Sequence, residues 1–79
     1  MIFRPPTRLM LELLHECYIR HINNQEPYRF CCRAIKGLYA RGLVQSRQYI
    51  DDHGKSFMAF YITDAGIKYL QAAELLAAS

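Results

Sequence analysis

Seventy-nine residues make one domain, 1–79, and a chain this short buries only a modest core. A composition that is 52% hydrophobic, with six Tyr and four Phe, excludes intrinsic disorder, and the richest apolar stretch, Leu9 to Leu14, is too short to cross a bilayer and is interrupted by Glu12. Ten Lys and Arg against seven Asp and Glu give a formal charge of +3, which permits a nucleic-acid partner without requiring one.

Met1 to Pro6 reads as a short leader whose two prolines suit the entry to a helix. Pro5 and Pro6 follow Arg4 where the apolar core of a secretory signal would begin, so a cytoplasmic location is expected. From Thr7 the apolar positions Met10, Leu13, Leu14, Cys17 and Tyr18 recur at spacings of three and four, the stripe of an amphipathic helix. Leu9, Leu11 and Ile19 widen that stripe, and contact with a second copy is one way to cover it.

The segment His21 to Pro27 holds two Asn and a Pro, which favour a break. Two readings stay open there. Either the first helix runs to about Ile22, or it ends near His15 and Glu16 to Asn24 forms a second short helix. Tyr28 to Arg41 is then predicted helical, with Cys31, Ala34, Ile35 and Leu38 on one face and Arg29, Cys32, Arg33 and Lys36 on another. Gly42 supplies the left-handed residue that commonly follows a helix.

Leu43 to Ile50 and Ser56 to Ile62 are rich in β-branched and aromatic residues and are joined by Asp51-Asp52-His53-Gly54-Lys55, the signature of a hairpin. Both faces of the second strand are apolar, so one is expected to meet the body of the domain. Thr63 is a good N-cap, Asp64 suits the positive end of a closing helix, and Ile67, Leu70 and then Glu74 or Leu75 continue at helical spacing. The element order gives an α+β class, helices packed on a small hairpin.

Chemistry beyond binding finds little support. No phosphate loop, nucleophile elbow or motif-placed carboxylate pair is present, so no enzyme activity and no cofactor is expected. Cys17 and His21 share a helical face, but no second ligand pair accompanies them and no metal site is expected. Three cysteines, two of them adjacent, fit reduced thiols.

The run RAIKGLYARGLV, a charged hairpin, and then YITDAGIKYL resemble the winged-helix DNA-binding family, especially its MarR-like and PadR-like transcriptional regulators. The resemblance spans roughly residues 28 to 70. The matching pieces are Arg33 to Leu38 in a basic recognition helix, Gly42-Leu43-Val44, the wing Arg47 to Lys55, and Tyr61-Ile62-Thr63 with Gly66. The chain departs from the family before Tyr28, where the usual second helix and its turn are hard to find.

The resemblance implies a winged helix that reads double-stranded DNA, acting as a bacterial or phage transcription regulator such as a repressor and as a homodimer through the first and last helices. Its implied DNA contacts are Gln25, Tyr28, Arg29, Arg33 and Lys36 around the recognition helix, with Arg47, His53 and Lys55 on the wing. Asp51 and Asp52 argue against tight phosphate contact at the wing tip. The alternative is a winged-helix module that binds a protein partner, such as a phage-encoded inhibitor of a host complex.

Overall fold

The computed structural model describes residues 5–78, and side-chain surroundings for 5–73. The elements are α1 (Arg8–Ile22), α2 (Arg33–Ala40), β1 (Val44–Ile50), β2 (Ser56–Ile62) and α3 (Asp64–Ala78). Among the described residues this is an α+β arrangement of three helices and one antiparallel hairpin.

Helix α1 begins where Thr7 caps it, the Oγ1 accepting from the Met10 N–H at 3.2 Å. Met10, Leu14 and Cys17 are buried, and Leu13 and Tyr18 pack beside them. Of the two readings for this region, the continuous helix to Ile22 is the observed one. Asn24 stops it in a left-handed conformation, φ 52°. The Gln25 N–H then donates to the Arg20 carbonyl at 2.9 Å and the Asn24 N–H to that of His21 at 3.4 Å, satisfying two otherwise orphaned carbonyls.

The expected helix from Tyr28 to Arg41 is corrected at its start: α2 begins at Arg33, and residues 28–32 are not helical. Tyr28 instead forms an antiparallel bridge with Phe60, whose N–H donates to the Tyr28 carbonyl at 2.7 Å. Tyr, Phe and Cys are indifferent helix formers, and here the backbone gains a sheet partner a helix would forfeit. Arg20 fixes the approach, donating from Nη1 to the Glu26 carbonyl at 2.8 Å and lying 5.9 Å from the Tyr28 ring centre. Cys31, assigned to the buried face with Ala34, Ile35 and Leu38, is exposed; the other three are buried as expected.

Helix α2 ends on Gly42 at φ 73°, with the Gly42 N–H on the Tyr39 carbonyl at 3.0 Å and the Leu43 N–H on that of Leu38 at 3.1 Å. The hairpin pairs Val44 with Ile62 through to Ile50 with Ser56. Its turn is held by Asp51, whose Oδ1 accepts from the His53 and Lys55 N–H groups at 2.9 and 2.8 Å. Val44 and Ile62, directly opposite, both enter the core, and Ala59 is also fully buried.

A compact lock joins α2's exit to α3's start. Thr63 donates from Oγ1 to the Gly42 carbonyl at 2.7 Å and from its N–H to the Leu43 carbonyl at 3.0 Å, while its Oγ1 accepts from the Gly66 N–H at 3.1 Å. Leu70 reaches the core and Ile67 packs against it. The expectation for Glu74 and Leu75 lies outside the described side chains.

Candidate nucleic-acid interface

Helix α2 carries Ala34, Ile35 and Leu38 inward. At about 100° per residue this turns Arg33 and Lys36 to the opposite side, and both are exposed. Neither has an ion-pair partner among the described residues. Three other basic groups are ion-paired, Arg8 lying 3.4 Å from Glu12, Arg20 3.0 Å from Glu16 and Arg29 3.5 Å from Glu26, whereas Arg47, Lys55 and Lys68 share the unpaired state of Arg33 and Lys36 among the described residues.

The linear charge pattern sharpens this contrast. Between Glu26 and Asp51 there is no acidic residue, while Arg29, Arg33, Lys36, Arg41 and Arg47 all fall in that stretch. This signal was present in the sequence as a run of one sign and not as a motif. Arg41 belongs to the scaffold, since its Nη1 donates to the Gly37 carbonyl at 2.9 Å.

The other expected contacts are scattered about this centre. Arg29 does not stand one turn before Arg33 on a shared helical face, because α2 starts after it. Its guanidinium lies 5.1 Å from the Phe57 ring centre and 6.0 Å from that of Phe30. Tyr28 likewise lies off the helix, half-buried against the sheet and edge-to-face with Phe30 at 5.8 Å. Burial, and next the Cys32 side chain beside it, raise its hydroxyl above the ordinary tyrosine value. Gln25 is exposed in the connection after α1, with its backbone N–H spent on the helix end.

On the hairpin, Arg47 is exposed on β1 with Nη2 3.4 Å from the Gln45 Oε1, and His53 and Lys55 are exposed in the turn. Asp51 and Asp52 stand in the same turn, and Asp51 is occupied by backbone donors. The structure thus brings Arg33 and Lys36 together on one helix and keeps Arg47, His53 and Lys55 on a separate hairpin. Among the described residues no group of three His, Cys, Asp or Glu could hold a metal ion, and no helix is long and apolar enough to cross a membrane.

A cleft of about 230 Å³ lies between the end of α1, the connection after it and the hairpin, lined in part by Cys17, Arg20, His21, Tyr49 and Tyr61. It stands apart from Arg33 and Lys36, neither of which lines it.

No protein-family profile matches the chain, and no curated protein matches it. Among solved structures it is similar to a protein from Thermoplasma acidophilum provisionally described as a transcriptional regulator. The two share 24% identity with a TM-score of 0.49, over 86% of this chain and 82% of that one.

Proposed function

We propose that this protein is a small winged-helix regulator that binds duplex DNA. The reading rests on one observation: Arg33 and Lys36 project from the exposed side of α2, without ion-pair partners among the described residues, in the middle of a stretch that has no acid between Glu26 and Asp51. A helix of this kind fits the major groove, where Arg bonds a guanine edge and Lys or Arg meets phosphate. The hairpin then acts as the wing, Arg47, His53 and Lys55 lying toward the backbone of the duplex. Tyr28, Arg29 and Gln25 flank the helix entry and make the peripheral contacts.

One eight-residue helix reads few base pairs, so the protein acts as a homodimer on paired half-sites. Leu9 on α1, 64% exposed, and Tyr69 on α3 are apolar surface available to that contact. Fluorescence anisotropy with a labelled duplex tests the reading. Binding that weakens steeply with salt is expected; no binding at low salt overturns it.

A second reading, a protein-interaction module, is favoured by a different observation. The segment between α1 and α2 holds no helix, and Phe30, Ile50 and Met58 are exposed. Apolar side chains of this size suit a protein partner. Nuclease-resistant capture of one defined protein, lost on Phe30→Asp, would select this reading over DNA.

A further inference from the structure

Free cysteine is among the residue types most often buried, and Cys17 follows that rule at 3% exposure. Cys31 and Cys32 break it together: both are exposed and adjacent, at the entry to α2. Cys32 has an extended backbone at φ −143°, ψ 171°, where successive side chains point to opposite sides. The two sulfurs are therefore two separate nucleophiles and not the halves of one ring.

Their charged neighbours in sequence are mostly basic, and the Tyr28 hydroxyl stands beside the Cys32 side chain. Arg29 precedes Cys31 by two residues, Arg33 follows Cys32, Lys36 stands one turn further on, and Glu26, the nearest acid in sequence, is paired with Arg29. A small anion is drawn to such a surface and a small cation is repelled.

We propose that Cys31 and Cys32 form a paired thiol site that accepts small anionic disulfides, and that the adducts loosen the grip of α2 on DNA. In the chemical step a cysteine thiolate attacks one sulfur of R–S–S–R. The reagent's S–S bond breaks, a protein–S–S–R bond forms, and R–S⁻ leaves to take up the proton the cysteine released. The attacking sulfur is oxidised and the departing one reduced, so the disulfide itself is the oxidant. Cys17 is spared because it is buried, and burial pushes its thiol up to about 11. Each adduct carries negative charge and bulk next to Arg33. The consequence for DNA rests on the function proposed above; the thiol chemistry does not.

The test uses the full chain under native conditions, with glutathione disulfide as the anionic reagent and cystamine as the cationic one. Rates are followed by intact mass and normalised to an unstructured cysteine peptide. Two adducts are expected, located at Cys31 and Cys32 by peptide mapping, with the anionic reagent favoured about 10-fold or more after normalisation. High salt or Arg33→Gln reduces that preference, and the double variant Cys31→Ser/Cys32→Ser takes up none. The adducts should weaken binding to a labelled duplex at least about 10-fold, reversed by dithiothreitol.

Reaction chiefly at Cys17, or rates blind to reagent charge, overturns the thiol site. Unchanged duplex affinity after complete modification overturns its control of α2. If the unmodified chain binds no duplex, the functional reading fails and the control of α2 fails with it, while the mass measurements still decide the thiol site.

Discussion

Gly66, in the first turn of α3, lies against the backbone carbonyl of Leu43, the residue just before β1. A Cβ built at Gly66 would overlap the Leu43 oxygen and come within 2.7 Å of the Ile62 Cγ1. The Gly here is required by close approach, because a carbonyl oxygen in a fixed chain cannot swing aside as a flexible side chain would. Gly66→Ala should therefore destabilise by about 2 kcal/mol or more, as overpacking does. Gly37→Ala provides the contrast, since its closest contact is the flexible end of Met10. Thermal melts of the two variants decide the matter; a Gly66→Ala midpoint equal to that of the parent would disprove the lock.

Arg33→Ala and Lys36→Ala should each lower duplex affinity and make it less sensitive to salt. A lost phosphate contact reduces the salt slope by about 1, whereas a lost base contact costs about 1–3 kcal/mol at one position of the site. Arg8→Ala, on an exposed α1 pair with Glu12, should leave affinity unchanged. Titrations at several salt concentrations separate these outcomes.

Arg20 should matter to the fold. Its Nε bonds Glu16 and its Nη1 bonds the Glu26 carbonyl, tying α1 to the connection that carries Tyr28 to the sheet. Arg20→Ala should cost about 1–2 kcal/mol. The loss should show as faster hydrogen exchange of the Phe60 amide, which bonds Tyr28, while amides of the hairpin turn change little.

Cys17 makes stability depend on alkaline pH. Burial raises its thiol from 9.0 to about 11, partly opposed by Arg20, so the unfolded chain loses this proton first as pH rises. The folded state is favoured in full below about 9, and the advantage declines above that and is gone once pH passes about 11. Urea unfolding at pH 8 and 10.5 should show a fall in stability for the parent that is smaller in Cys17→Ala. Equal falls in both would disprove the assignment.

The sequence made legible those parts of the fold whose chemistry is local. Thr63 as a cap, Gly42 as the left-handed terminator, and the Asp51 to Lys55 turn each act within a few residues, so residue type alone signals them. The course of Tyr28 to Cys32 is not legible in the sequence, because it depends on Phe60, far along the chain, and helical spacing in Cys31, Ala34, Ile35 and Leu38 carries no trace of that bridge. For the candidate site, Arg33 and Lys36 were legible from the periodicity of α2. The approach of Arg29 to Phe57 was not, because it depends on a side chain reaching across to β2.

The Tyr28 to Phe60 bridge has a mechanical consequence. Helix α2 is tethered to one hairpin at both ends: the chain entering it is pinned to β2 by that bridge, and the chain leaving it passes through Leu43 directly into β1. The bridge stands five residues before Arg33 and Leu43 three residues after Ala40, so both connections that fix the placing of α2 run to the same hairpin.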